Sequence, residues 1–262
     1  MSSIISTATT GMNAIQIRMK ALSNDLANVA TTGYKKTRVL SADLPYQKIN
    51  LINDWSVLDT EQTSSAEILL GTGVRIVATQ KGFEQGDTNT TNRDKDVMIK
   101  GRGFFQIQRP DGSIAYTRDG SFQQNAATGA LVTVDGDLLL PELNIPSGTT
   151  TLTIGTNGVV TATVNNVATA VGTIELADFN NPEGLEPFGQ NLFLETVASG
   201  EPQVGQPGIG EFGQTIQGAL EDSNVNVVES LMDLISLQRA YEMDVRAIEA
   251  ENDMIKAVVQ KL

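Results

Sequence analysis

The sequence predicts an α+β protein in which coiled-coil helices at the N and C termini flank an extended β-rich connecting arm and a small antiparallel all-β domain. Apolar residues alternate in spacing between three and four at both ends of the chain, which is typical of a helical coiled-coil seam. Between the ends, short β-branched segments are separated by Asp-Gly and Asn-Gly turns, which favour antiparallel hairpins.

Residues 1–40 are predicted to form the first helix. Its stretch SNDLANVATTGYKKT, residues 23–37, contains Gly33, which suits a left-handed stop at the helix C-terminus. Asn24 and Asn28 flank the seam, and two interpretations stay open. They belong to a polar helix end, or their amides fix the register of closely packed neighbouring helices. The seam of this helix consists of Ile5, Ala8, Met12, Ile15, Met19, Leu22 and Leu26.

Residues 41–95 are predicted to form an extended arm and β connector, because residues 41–66 contain Pro45 and show no clear period. The arm carries an apolar patch in otherwise polar surroundings. This patch either covers a small satellite core or docks onto neighbouring subunits, and we favour docking. It consists of Leu51, Ile52, Trp55 and Val57.

Residues 96–195 are predicted to form the antiparallel β domain, and the Gly/Pro-rich residues 196–218 a return linker. Residues 219–262 are predicted to form the C-terminal helix. Gln238 and Asn252 interrupt its seam, where they either face water or pair with the amides of the first helix. The seam consists of Val227, Leu231, Leu234, Gln238, Tyr241, Val245, Ile248, Asn252, Ile255 and Val259.

The charge distribution indicates that the two ends of the chain meet. The net charge is −13, which argues against a nucleic-acid partner. Residues 1–50 nevertheless carry a net charge of +4, and residues 215–262 carry −5. An isolated pair of helices is only marginally stable, because the apolar burial along one seam barely offsets the conformational entropy lost on ordering. We therefore expect these helices to order when further copies cover their remaining faces, in a homo-oligomer.

Composition argues against most catalytic chemistry. The chain has no cysteine and no histidine, which removes thiol nucleophiles, zinc clusters and the commonest general base. We therefore expect no enzyme activity, cofactor or metal. The acidic pairs Asp135/Asp137 and Glu221/Asp222 are expected in solvated turns and at a helix start, with Asp222 or Ser223 as an N-cap. Apolar runs are too short for a membrane span, and no cleavable signal is expected.

Several motifs resemble those of the bacterial flagellar axial proteins, the rod and hook components of the flagellum. SNDLANVATTGYKKT resembles the N-terminal signature of this family, and GALEDSNVNVVESLMDLISLQRAYEMD resembles its C-terminal end. The segments GTGVR, GRGFF and YTRDGSF resemble the middle of the distal-rod members in particular. Pro45 stands where the family usually has Leu.

The resemblance implies a structural subunit of a rigid hollow tube. The terminal helices would form its inner domain and the β domain would lie outside. Expected partners are further copies, proximal-rod and hook proteins, peptidoglycan-ring and outer-membrane-ring proteins, and the flagellar type III export apparatus. The expected location is the rod of the basal body, reached by export without a cleaved signal. A proximal-rod or hook subunit, or an exported coiled-coil binding protein, are the alternatives.

Overall fold

The computed structural model of this protein describes residues 3–50 and 67–260. It divides into two compact units. The helical unit is drawn from Met1–Asn24, Arg38–Thr79 and Val228–Leu262, and the β unit from Asp25–Thr37 and Gln80–Val227. The predicted α+β class, with a helix near each end and a β-rich middle, is confirmed.

The helical unit contains most of both helices and four short strands: α1 (Ser3–Ala27), α2 (Val227–Val259), β1 (Thr37–Asp43), β2 (Gln47–Asn50), β3 (Glu67–Leu70) and β4 (Val74–Lys81). β1 pairs with β4, and β2 with β3. α1 packs closely against this ribbon, since the amide of Val74 donates to the Thr10 hydroxyl at 3.3 Å. Gly73, in the GTGVR motif, has a φ of 119°, and a Cβ there would overlap that hydroxyl.

The two helices touch within this unit. The Gln16 side-chain amide lies 3.5 Å from the Tyr241 hydroxyl, and a Cβ on Gly11 would lie 3.2 Å from a carboxylate oxygen of Asp244. Both contacts fall at the middle of the helices. The longer coiled-coil seam stays a prediction.

Sixteen strands form the β unit, and their pairings in the described residues are antiparallel. They are β5 (Thr88–Thr90), β6 (Val97–Lys100), β7 (Phe104–Gln108), β8 (Ile114–Thr117), β9 (Gln123–Gln124), β10 (Leu131–Val132), β11 (Leu138–Leu140), β12 (Thr149–Ile154), β13 (Val159–Val164), β14 (Val167–Thr173), β15 (Leu176–Asp178), β16 (Glu186–Gly189), β17 (Leu192–Leu194), β18 (Gln203–Gly205), β19 (Gln214–Gln217) and β20 (Ala219–Glu221). A short 3₁₀ turn covers Pro182–Gly184.

The main sheet has the order β16-β17-β8-β7-β11-β10-β9, with β15 joined to β7 and to β18. β7 is covered on both faces, since its first four residues, Phe104 to Ile107, are all buried. Phe105 and Ile107 enter the main core, whereas Phe104 joins a second cluster that includes Tyr116 and Phe179. Successive side chains of a strand point to opposite faces, so one strand serves two cores.

Three predicted boundaries differ from the structure. α1 ends at Ala27 and β1 begins at Thr37, so the first helix is shorter than residues 1–40. Residues 196–218, predicted as a linker, contain β18 and β19, which pair with β15 and β6. α2 begins at Val227, because residues 219–221 form β20 against β5, and Asp222 and Ser223 therefore do not cap a helix.

In the part of the chain that the structure describes, neither helix has the length and apolar character needed to cross a membrane.

We expect Ile107→Ala in the core of β7 to lower the free energy of unfolding by about 2–5 kcal/mol, because it leaves a cavity. Ile114→Ala on β8 is the matched control, since Ile114 is 43% exposed. This control should lower the free energy of unfolding by only about 0.5 kcal/mol. Urea unfolding followed by far-UV circular dichroism measures both, and equal losses would contradict the assignment of the core.

Candidate functional site in the chain-end segments

Asp25, near the end of α1, is buried and accepts three hydrogen bonds from the residues that follow it. Its Oδ1 accepts from the Tyr34 hydroxyl at 2.7 Å, and the amide of Thr37 donates to Oδ1 at 3.1 Å and to Oδ2 at 3.0 Å. A carboxylate at a helix C-terminus is electrostatically unfavourable, so these donors compensate it. They also fold the chain back after α1.

Lys35 and Glu221 form an ion pair that is completely buried. The Lys35 Nζ lies 2.6 Å from Glu221 Oε1, and both side chains are 0% exposed. Nζ also donates to the carbonyl of Glu84 at 2.8 Å, and Oε1 also accepts from the amide of Gly86 at 2.9 Å. The extra hydrogen bonds matter because a buried pair is favourable only when its remaining donors and acceptors are satisfied.

Arg118 brings a second buried cation to the same carboxylate. Its guanidinium lies 3.5 Å from Glu221 Oε2 and 5.1 Å above the centre of the Phe104 ring. Burial lowers the pKa of Arg118 and the pKa of Lys35, and in both cases the charge of Glu221 opposes that shift. Glu221 therefore offsets part of the electrostatic cost of burying two cations.

Backbone contacts fasten the same segment to the β unit. The amide of Gly33 donates to the carbonyl of Glu221 at 2.8 Å, and the Asn191 side chain donates to the carbonyl of Thr32 at 2.9 Å. The Asn224 side chain accepts from the amide of Lys36 at 2.7 Å and donates to the carbonyl of Gly82 at 2.9 Å. Residues from both chain ends are thus bound together within one unit.

Gly33 is a turn residue with a φ of 68°, but it does not stop the helix, since α1 ends six residues earlier. A Cβ at this position would lie 2.8 Å from the Asp119 amide nitrogen. The glycine is required because two backbone segments approach closely there and because its φ is left-handed.

Lys81, at the end of β4, contacts the same segment. Its Nζ donates to the carbonyl of Lys35 and to the Thr37 hydroxyl, both at 2.9 Å, and lies 4.1 Å from the centre of the Tyr34 ring. Burial lowers its pKa, with the charge of Asp25 opposing the shift.

Three family models match separate parts of the chain. They are "Flagella basal body rod protein" over residues 5–35, "Flagellar hook protein FlgE/F/G D1 domain" over 98–162, and "Flagellar basal body rod FlgEFG protein C-terminal" over 216–261. The flagellar basal-body rod protein FlgG of Buchnera aphidicola from Schizaphis graminum is 44% identical over 96% of this chain and 96% of its own length. The chain belongs to the FlgG family of flagellar basal-body rod proteins.

Other relatives agree. The FlgG protein of Agrobacterium fabrum is 40% identical over 97% of each chain. Among solved structures, the flagellar hook protein FlgE2 of Helicobacter pylori has 15% identity and covers 71% of this chain and 43% of its own, with a TM-score of 0.24, which is too low to support an argument.

The buried network draws one charged residue from each of the three segments that the flagellar family models match. Lys35 lies in the first match, Arg118 in the second and Glu221 in the third. The sequence had indicated attraction between the chain ends but not these partners. The expectation that Glu221 lies at a helix start was wrong, since it ends β20 and its side chain is fully buried; Asp137, expected in a solvated turn, is only 8% exposed.

The predicted seam residues of α1 lie mostly at intermediate exposure, and Leu22 is buried. Asn24 is exposed, and Asn28 is half-buried and accepts from the Thr31 hydroxyl at 3.2 Å. The intermediate group consists of Ile5, Ala8, Met12, Ile15, Met19 and Leu26.

Along α2, one part of the predicted seam is half-buried and the other part is exposed. The half-buried residues are Leu234, Tyr241, Val245 and Ile248. The exposed residues are Val227, Leu231, Gln238, Asn252 and Ile255. The Val259 side chain and the arm residues Leu51, Ile52, Trp55 and Val57 lie outside the described residues.

One apolar group on α2 was not predicted as a unit. Val228, Leu231, Met232 and Ile235, here called the α2 patch, are 67%, 43%, 64% and 48% exposed. Their spacing of three, four and seven residues puts them on one helix face. The spacing of these four residues is visible in the sequence, but only Leu231 belongs to the predicted α2 seam.

Removing Glu221 should be strongly destabilising. Glu221→Ala removes the carboxylate that faces both Lys35 and Arg118 and leaves Lys35 buried without its ion-pair partner, so we expect a loss of about 3–5 kcal/mol in the free energy of unfolding. Glu211→Ala is the control, because Glu211 is an exposed partner of Arg102 at 3.7 Å and should cost less than about 1 kcal/mol. Denaturant titration measures both.

The double variant K35M/E221L removes the charges of the ion pair but keeps the side-chain volume. An apolar pair of similar volume can replace a buried ion pair. The loss of stability in the double variant should therefore be smaller than that in Glu221→Ala alone. A larger loss would contradict the pairing argument.

Asp119 provides a pH-dependent test. Burial raises the pKa of its carboxyl, aided by Asp96 and Asp135 and opposed by hydrogen bonds from Ser121. The folded protein therefore holds this proton above the pH at which the unfolded chain releases it, and stability is lost as pH rises through the raised pKa. Asp119→Asn should raise the melting temperature at pH 7, with a difference that shrinks toward pH 3.

The control for this experiment is Asp87→Asn, because Asp87 is exposed. The Ser121 amide donates to Asp119 Oδ1 at 3.0 Å, and the side-chain carbonyl oxygen of the Asp119→Asn variant can still accept this hydrogen bond. A lower melting temperature for Asp119→Asn at pH 7 would show that the carboxylate is needed in its charged form.

Proposed function

We propose that this protein is a structural subunit of the flagellar distal rod, and that it assembles with further copies into a rigid hollow tube that transmits motor torque to the hook. One observation carries the proposal beyond family membership. The α2 patch is exposed in the single chain although its four side chains are apolar and share one helix face.

The patch is large enough to contribute to assembly. Full burial of an aliphatic or methionine side chain is worth about 1.5–3 kcal/mol, and roughly half of each of these four remains to be covered. Each copy would therefore gain several kcal/mol. Because the gain recurs in every copy, a repeated interface supports a polymer.

The proposed organisation of the tube follows the helices and the β unit. α1 and α2 form the inner domain, and the β unit, Asp25–Thr37 with Gln80–Val227, forms the outer domain. The arm residues around Trp55 dock onto neighbouring copies. Gln238 and Asn252 are exposed, which supports a role for their amides in setting register with Asn24 and Asn28 of neighbouring helices.

The proposed partners are proximal-rod and hook proteins at the two ends of the tube, and peptidoglycan-ring and outer-membrane-ring proteins around it. Subunits reach this place through the flagellar type III export apparatus, and the tube crosses the periplasm and outer membrane. The role is structural rather than catalytic, which the rod-protein names of the relatives support.

Leu231→Asp with Ile235→Asp tests the proposal, because two carboxylates cannot be buried in an apolar interface without a large cost. We expect concentrated wild-type protein to form straight tubes by electron microscopy, and the double variant to need at least about tenfold more protein, since each 1.4 kcal/mol corresponds to a factor of ten.

Val197→Asp is the control, since Val197 is a fully exposed apolar residue of the β unit. It should assemble like the wild type, and circular dichroism should show unchanged helix content in each variant. Curved tubes would favour a hook-type subunit, and monodisperse protein at high concentration would contradict self-assembly.

A further inference from the structure

α2 carries three strongly exposed methionines at regular intervals. Met232, Met243 and Met254 are 64%, 63% and 60% exposed. They are eleven residues apart, which is three helical turns plus about 20°, so they share one face and follow each other about every 16.5 Å. We call these residues the methionine stripe.

Other described methionines are less accessible. Met98 is 1% exposed in the core, and Met12 and Met19 are half-buried on α1. The sequence contains no cysteine, so methionine is its only sulfur-containing residue. An oxidant in solution would therefore meet the sulfur atoms of the stripe first.

The surroundings of the stripe indicate what covers it. Met232 belongs to the α2 patch, and exposed charged residues, among them Arg239, Glu242, Arg246 and Glu249, lie between the methionines. Across the whole of α2, Val227–Val259, the net charge is −4, so two copies of this helix repel each other, whereas residues 1–50 carry +4. The N-terminal segment of a second copy is the occupant with complementary charge.

We propose that the methionine stripe is an oxidation-sensitive modification site that controls self-assembly; the inference rests on the assembly proposed above. A two-electron oxidant such as hydrogen peroxide transfers one oxygen atom to the thioether. The sulfur lone pair forms the S–O bond, the O–O bond breaks, and water leaves. Sulfur is oxidised to the sulfoxide and the peroxide is reduced.

The consequence for assembly follows from polarity. A thioether packs as a flexible apolar group, whereas a sulfoxide is polar and requires a hydrogen-bond partner when buried. Three sulfoxides per copy weaken every repeat of the interface. The change is reversible, because a thiol-dependent sulfoxide reductase restores the thioether while two thiols become a disulfide and water forms.

Burial in the tube also protects the stripe. Once a neighbouring copy covers α2, peroxide no longer reaches the sulfur atoms. Oxidation therefore acts on unassembled chains and spares the finished tube.

Peroxide treatment of the full chain, followed by peptide mass mapping and assembly assays, tests the inference. In unassembled wild-type protein, we expect the stripe to gain oxygen at least about five times faster than Met98 because thioether oxidation follows exposure. The protein concentration needed for tubes should then rise by about tenfold or more. Pre-formed tubes should show slower oxidation of the stripe.

Three variants sharpen the experiment. M232L/M243L/M254L cannot be oxidised at the stripe and should assemble equally well before and after peroxide. M232Q/M243Q/M254Q carries polar groups at the stripe and should assemble poorly without peroxide. M98L, in the core of the β unit and outside the proposed interface, is the control and should keep the sensitivity of the wild type. Circular dichroism confirms that each variant retains its helices.

Different results separate this inference from the proposed function. If untreated wild-type protein forms tubes and the fully oxidised protein forms them at the same concentration, only this inference is overturned. Sensitivity that persists in the triple Leu variant, or disappears in M98L, also overturns it. If the untreated protein forms no tubes at any concentration, the proposed function fails and this inference fails with it.

Discussion

The buried ion pair between Lys35 and Glu221 is the interaction on which the arrangement of the chain ends depends. The two residues are 186 positions apart, and neither side chain has contact with solvent. A buried charge without its partner costs several kcal/mol, so neither the segment after α1 nor the segment before α2 can order by itself in this place. The pair makes their ordering mutual.

Hydrogen bonds to Lys35 Nζ and to Glu221 Oε1 support the ion pair, whereas Glu221 Oε2 faces the Arg118 guanidinium at 3.5 Å without a hydrogen bond. The carbonyl of Glu84 accepts from Lys35 Nζ and the amide of Gly86 donates to Glu221 Oε1, while the amide of Gly33 donates to the backbone carbonyl of Glu221 and joins the two segments. Arg118 adds a second cation from the turn after β8 and thereby links the pair to the main sheet. Charge, backbone pairing and a close glycine contact therefore support the same geometry, which is the consistency expected of a uniquely folded protein.

The distribution of polar and apolar side chains on α2 is the reverse of that in the buried ion-pair network. Inside the β unit, Lys35, Glu221 and Arg118 are buried and paired, whereas several large apolar side chains of α2 face solvent in the single chain. A monomer gains nothing from such exposure, but a subunit of a polymer uses these groups at every contact. Membership in the FlgG family and the proposed rod function give this exposure its physical reason.

The sequence by itself determined the α+β class, the helices near both ends and the β-rich middle, because these depend on local periodicity and turn chemistry. It also indicated, through opposite net charges, that the ends attract each other. The tertiary structure decided the partners. That Glu221 pairs with Lys35, that Gly33 serves a close backbone contact, and that residues 214–221 extend the β unit all depend on contacts between residues far apart in sequence. Local patterns carry no information about which distant strand or charge will be adjacent, so burial could be assigned only once the chain was folded.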